Sequence, residues 1–315
     1  MNKQKNRVEQ IRKIITRIRK PFASKQTKFA GNQDNNTKMK ARILIFLTIA
    51  ALSACTNGST TKNPTRNHSH ELLTDAELSV TQTTSGKVAG YIDDGIFTYK
   101  GIPYAKAERF MPPVPADSWD GIRSCRAYGP TCPQGKRAGW YSDEMAFSFS
   151  WDDGFADEDC LRLNIWTPGI NDGRKRPVMV WLHGGGYSAG SGQELPSYDG
   201  RNLADKGDVV VVTLNHRLNV LGFLDLSAYG EKYAHSGNAG LLDIVAALDW
   251  VQANIGSFGG DAGNVTIFGQ SGGGGKVSTL LATPSAKGKF HKAIVKSGSM
   301  LKTMESRGSR RIGAA

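Results

Sequence analysis

Beyond its first 54 residues this chain has almost no net charge. The 315 residues carry +12 in total, but residues 1–54 hold thirteen Lys or Arg against two acids, a net of +11, which leaves +1 for the remainder. The body therefore lacks the basic face that nucleic-acid binding requires, and no nucleic-acid partner is expected. The apolar run Ile43 to Ala51 is too short to span a bilayer as a stable anchor. Cysteine is scarce, at positions 55, 125, 132 and 160 only. A phosphate-binding loop is excluded as well. Gly275-Lys276 looks like the tail of one, but that motif needs Gly at 270 and Ser or Thr at 277, where the chain has Gln270 and Val277. What remains, at 39% hydrophobic residues, is enough material for one large domain or two small ones.

The first 77 residues read as a leader and a tether. Met39-Lys40-Ala41-Arg42 followed by Ile43 to Ala51 has the layout of a signal peptide over residues 39–54. It ends Leu52-Ser53-Ala54-Cys55, which resembles the lipobox of bacterial lipoproteins, with Cys55 as the lipidated residue; the alternative is an ordinary signal peptide cleaved nearby. The first reading implies membrane association through a lipid anchor and a place in the bacterial cell envelope. Residues 1–38 either form a basic amphipathic helix with Val8, Ile11, Ile14, Ile15 and Ile18 on one face, or lie upstream of a start at Met39. Residues 55–77 are polar and read as a flexible tether, with His68 and His70 solvated in it rather than holding a metal.

From Leu78 the pattern changes to short strands: Leu78 to Thr83, Lys87 to Ile92 and Ile96 to Lys100, with hairpin-turn chemistry at Asp93-Asp94-Gly95. A strand is expected at Leu161 to Trp166. Pro177 to Leu182 and Val209 to Leu214 are almost wholly apolar, as in a parallel sheet covered on both faces. Asn238 to Ile255 reads as a helix with Asn238 as N-cap and Gly256 as its end. The strand–helix alternation from residue 177 onward gives the class α/β with a mainly parallel sheet.

Two stretches carry chemistry. Val265 to Phe268 has strand propensity, Lys276 to Ala282 has helical spacing, and Gly269-Gln270-Ser271-Gly272-Gly273 lies between them. A serine in G-x-S-x-G at a strand-to-helix turn is a nucleophile elbow, which holds the hydroxyl where a carbonyl carbon can reach it. The second stretch, His183-Gly184-Gly185-Gly186-Tyr187, follows an apolar strand. Its glycines let backbone N–H groups approach the oxygen of an attacked ester, where negative charge develops. Ser271 is thus the candidate nucleophile, and Gly185, Gly186 and Gly272 are the candidate oxyanion donors.

With Phe97 to Ala105, Glu158 to Asn164, Trp181 to Gly186, Asn215 to Leu224, Gly237 to Asp261 and Phe268 to Gly273, the chain resembles the type B carboxylesterase family, which includes the cholinesterases. The resemblance covers residues 78–315. It implies an α/β-hydrolase fold and hydrolysis of small-molecule carboxylic esters through an acyl-enzyme, with a Ser-Glu/Asp-His triad and neither cofactor nor metal. It also implies a Cys132–Cys160 disulfide, whose 28-residue separation would bring about 3–4 kcal/mol, a buried structural ion pair between Arg109 and Glu158, and a free thiol at Cys125. The family commonly has Glu before the nucleophile. Gln270 removes that negative charge and with it part of any attraction for cationic esters.

The family's acid and histidine lie roughly 100 and 200 residues past the nucleophile, and here 44 residues follow Ser271. None of the histidines at 68, 70, 183, 216, 235 and 291 matches the triad position; His183 and His216 read as structural. The expectation is the N-terminal half of the sheet, truncated before the C-terminal half, with weak or no activity in this chain. A serine without a base is a poor nucleophile at neutral pH. The alternative is a non-catalytic surface lipoprotein that serves as a binding module.

Overall fold

A computed structural model describes residues 70–75, 77–135, 142–299, 302 and 304–314. The leader, Cys55 and most of the expected tether, including His68, lie outside the described residues. Among the described residues no helix is long and apolar enough to cross a membrane.

Eight strands form the central sheet: β1 (Leu72–Leu73), β2 (Tyr91–Asp93), β3 (Ile96–Pro103), β4 (Arg162–Thr167), β5 (Arg176–Leu182), β6 (Val210–Leu214), β7 (Gly260–Gln270) and β8 (Lys292–Lys296). Their spatial order is β1-β2-β3-β4-β6-β5-β7-β8. The expected parallel block is there: β6, β5, β7 and β8 pair in parallel, with Val180 opposite both Val212 and Ile267. The four N-terminal strands join it antiparallel, through β4 against β6. All five residues of β6 are buried, as a central strand covered on both faces requires.

Several local expectations are corrected. Leu72–Leu73 pair with Asp93 and Ile92, so the tether ends before residue 72; Leu72–Leu73 serve as an edge strand. His70 sits 2.8 Å from Asp93, in a cluster with Asp94 that Arg201 also joins. The run Lys87 to Ile92 is cut in two. Gly86–Ala89 pairs with Val80–Thr83 in a small sheet, and Tyr91–Asp93 enters the large one. The break is at Gly90, where a Cβ would collide with the Thr98 carbonyl of the neighbouring strand. The hairpin turn itself is as read, with φ of 47° at Asp94 and 82° at Gly95.

Helix α1 (Ala239–Asn254) packs Leu241, Ile244, Leu248 and Val251 into the core. Asn238 occupies the cap position, but its side chain makes no capping hydrogen bond. The helix does not stop at Gly256. A 3₁₀ turn over Ile255–Phe258 follows, and Gly259, at φ 71°, ends it. The physical cause is Phe258, fully buried against the Tyr99 ring at 5.0 Å and the Trp250 ring at 5.9 Å. Ending the turn at Gly256 would leave that ring in water, at a cost of roughly 1.5–3 kcal/mol.

One buried ion pair anchors α1. Asp243 is wholly buried and accepts from Arg217 at 2.6 and 2.8 Å, and from the Arg217 backbone N–H at 3.0 Å. Arg217 in turn donates to the carbonyls of Glu108 and Met111. The pair expected to be buried, Arg109 with Glu158, forms but is exposed, with 64% and 43% of the two side chains accessible. No described residue covers it. The implied disulfide is also corrected: Cys132 and Cys160 are free thiols, as is Cys125, all three buried. Cys132 Sγ accepts from the Leu218 N–H at 3.1 Å and interacts with the Cys160 thiol, so the two sulfurs are neighbours without a bond.

Candidate active site

Ser271 lies at the C-terminal end of β7, where the strand turns into helix α2 (Gly272–Leu281). Its backbone has φ 57° and ψ −124°, a conformation that costs a non-glycine residue of order 1–3 kcal/mol. The surroundings impose it. The Ser271 N–H donates to the Lys296 carbonyl at the end of β8, at 2.9 Å, and its carbonyl accepts from Gly275 at 3.0 Å. A Cβ on Gly269 would lie 2.5 Å from the Gly273 carbonyl carbon, and one on Gly273 would collide with the Leu182 carbonyl. The motif's two glycines are therefore required by the crossing of α2 over β5 and β7.

The glycine loop leaves the C-terminal end of β5, the strand beside β7, so both candidate elements stand at the same edge of the sheet. Gly185 and Gly186 have φ of 80° and 66°. A Cβ on Gly272 would collide with the Gly186 backbone, which places the loop directly against the first residue of α2. Gly272 opens the helix, where N–H groups lack intrahelical acceptors. Among the described residues the Gly185 and Gly186 amides donate to no other backbone group. The three candidate amides, of Gly185, Gly186 and Gly272, thus lie in the loop and the helix start that adjoin Ser271.

No described imidazole is hydrogen-bonded to Ser271. His183 and His216 are buried and stacked on one another at 4.9 Å, with each Nδ1 facing a backbone carbonyl, of Gly184 and of Arg217. Burial, then the charge of Lys276, holds both imidazoles well below the usual histidine range, so they are neutral and structural. His291 accepts from the Val265 N–H at the start of the elbow strand's core segment. The site is also open: Gly185 and Gly186 are exposed and Ser271 is half-buried. A cleft of about 370 Å³ between Lys106, Asp117, Glu158 and Arg162 includes none of the elbow residues among its walls.

The sequence did not disclose Lys276. It is wholly buried in α2, and its Nζ donates to the His183 carbonyl at 3.1 Å. Burial pushes its pKa down to about 7, against the opposing influence of Glu194. Glu194 is itself 3% exposed, and burial pushes its carboxyl up to about 8. The only signal was a lysine in a run otherwise made of glycine and small or apolar residues.

The model of the carboxylesterase family matches residues 77–312. The para-nitrobenzyl esterase of Bacillus subtilis (strain 168) is 47% identical over 70% of this chain and 43% of its own length. Carboxylesterase 1E of Rattus norvegicus is 43% identical over 71% of this chain and 41% of its own. Among solved structures, an esterase of Clostridium hathewayi that can hydrolyse aliphatic aromatic polyesters shares 50% identity and a TM-score of 0.68, covering 71% of this chain and 44% of that one. The chain thus spans less than half the length of each of these relatives.

Proposed function

Since the chain belongs to the carboxylesterase family and has its α/β-hydrolase fold, we propose that it is the nucleophile-bearing part of a serine carboxylic ester hydrolase. Ser271 Oγ attacks the carbonyl carbon of a small carboxylic ester. The carbonyl oxygen becomes an oxyanion that accepts from the Gly185, Gly186 and Gly272 amides. The alcohol leaves, and water then hydrolyses the acyl-serine. The observation that carries this reading is the strained elbow conformation of Ser271, at a helix start packed against the glycine loop. Each such donor typically contributes ~10²–10³ in rate.

The base that takes the serine proton is not among the described residues near Ser271. In this 315-residue chain alone, turnover is therefore expected to be weak, since loss of the base can cost ~10⁶ in a serine hydrolase. The lipobox-like stretch Leu52 to Cys55 supports a lipid-anchored protein of the bacterial cell envelope, with the esterase domain held off the membrane by the polar segment that follows Cys55. The alternative, a non-catalytic binding module, has no use for a serine held in this strained conformation. Reaction of Ser271 with a fluorophosphonate, abolished by Ser271→Ala, tests the reading; an inert Ser271 would overturn it.

A further inference from the structure

Lys276 is the only charged residue of α2, and it points into the protein. Three features meet at its amine. Nζ donates to the carbonyl of His183, the residue that begins the glycine loop. It stands 5.8 Å from the centre of the Tyr187 ring, directly after Gly186. Glu194, where the loop ends, is the carboxylate whose charge acts on it. Residues 183, 187 and 194 are the start, middle and end of the segment that presents Gly185 and Gly186. The segment has other ties: the Ser188 and Ala189 N–H groups close a turn on the Gly185 carbonyl, Asn219 N–H donates to the Tyr187 carbonyl, Gln134 and Asn215 hold Gly190 and Gly192, and the Tyr187 hydroxyl lies 3.4 Å from that of Thr279; Lys276 is the charged group among them that comes from the elbow helix.

We propose that Lys276 is the positioning residue of the oxyanion loop, its buried amine acting as the post on which segment 183–194 is hung from the elbow helix. The inference rests on the reading of Gly185 and Gly186 as oxyanion donors. It follows from chemistry that the post is sensitive to its proton. A charged ammonium donates to the His183 carbonyl roughly twice as strongly as a neutral amine, and only the charged form is drawn to the tyrosine face. Oxyanion donors act only within about 2.7–3.1 Å, so a shift of a few tenths of an ångström at the loop matters.

The titratable groups coupled to the amine are His183 and His216, both neutral, and Glu194, with the Tyr187 ring beside it. Behind them, Tyr198 and Asp153 act on Glu194, and Arg217 acts on His216. The amine's own proton is poised near pH 7 because it is desolvated and Glu194 only partly offsets that.

The test is the pH dependence of the Gly185 and Gly186 amide resonances in the ¹⁵N-labelled 315-residue chain between pH 6 and 9. Wild type should show both resonances moving with a midpoint near 7 from Lys276, apart from any step near 8 contributed by Glu194. Lys276→Met should abolish the step near 7. Glu194→Gln should remove any step near 8 and keep the Lys276 step at 7 or below, because the influence that favours the ammonium is gone; this variant and the wild-type curve decide the matter if Lys276→Met fails to fold. Resonances that stay fixed in wild type, or that titrate unchanged in Lys276→Met, would overturn the proposal. Ser271→Ala should leave the titration as it is. Failure of Ser271 to react with a fluorophosphonate would therefore remove the esterase reading without touching this one.

Discussion

Replacing Lys276 by methionine should stabilise the protein, and by an amount that depends on pH. Burial sets the folded-state pKa of Lys276 at about 7, against 10.5 for the ordinary amine. Above 10.5 the group is neutral in both states and contributes nothing. Between 10.5 and 7 only the unfolded chain binds the proton, so stability falls by about 1.4 kcal/mol for each unit of falling pH. Below 7 both states are charged and the penalty stays constant. Comparing wild type with Lys276→Met cancels the titrating groups that do not sense Lys276, and methionine keeps the length of the side chain. The advantage of the variant should thus grow by about 3 kcal/mol from pH 9 to pH 7, and level off below. Urea unfolding at pH 6, 7, 8 and 9 measures it. A difference that is flat across that range would mean that Lys276 keeps an ordinary amine's affinity for its proton, and the account of the buried post would be wrong. Glu194→Gln should give the mirrored slope. The Glu194 carboxyl rises from 4.5 to about 8 on folding, so its contribution is complete below 4.5 and is lost as pH rises towards 8.

Two further substitutions probe the frame. Asp243→Ala leaves Arg217 charged and buried with only carbonyl partners, and should cost about 3–5 kcal/mol in urea unfolding; a loss below about 1 kcal/mol would show that the pair is solvated. Gly273→Ala sets a methyl against the Leu182 carbonyl. Because the obstacle is backbone, no rotamer relieves it, and the loss should be about 1–3 kcal/mol or more; unchanged stability would mean that α2 does not cross β5 as closely as described.

The elements nearest the site were the most legible in the sequence. Val265 to Phe268 and Lys292 to Lys296 are strands because they are short, apolar or β-branched, and flanked by glycine or turns. The flanking of Ser271 by Gly269 and Gly273 is forced by backbone contacts that no side chain survives. What the sequence hid depends on partners distant in the chain. Leu72–Leu73 become a strand only because Asp93 and Ile92 offer an edge. Gly256 looked like a helix end, but burial of Phe258 carries the chain one turn further, to Gly259. Arg109 and Glu158 find each other at the surface, and the neighbouring sulfurs of Cys132 and Cys160 remain thiols. Lys276 was noticed only as the failed tail of a phosphate loop. Its burial beneath His183 follows from the tertiary crossing of α2 over β5, which local pattern does not encode.

The central claim is that Ser271 is a built nucleophile, and an aryl fluorophosphonate tests it most directly. The 315-residue chain would be incubated with the probe, native and in urea, and the labelled residue identified by mass spectrometry. The account predicts slow but selective labelling of Ser271 in the folded chain, lost in urea and in Ser271→Ala. It also predicts little turnover of a short aryl ester by the same sample. Labelling of Ser271 no faster when folded than when unfolded, or spread over other serines, would contradict it.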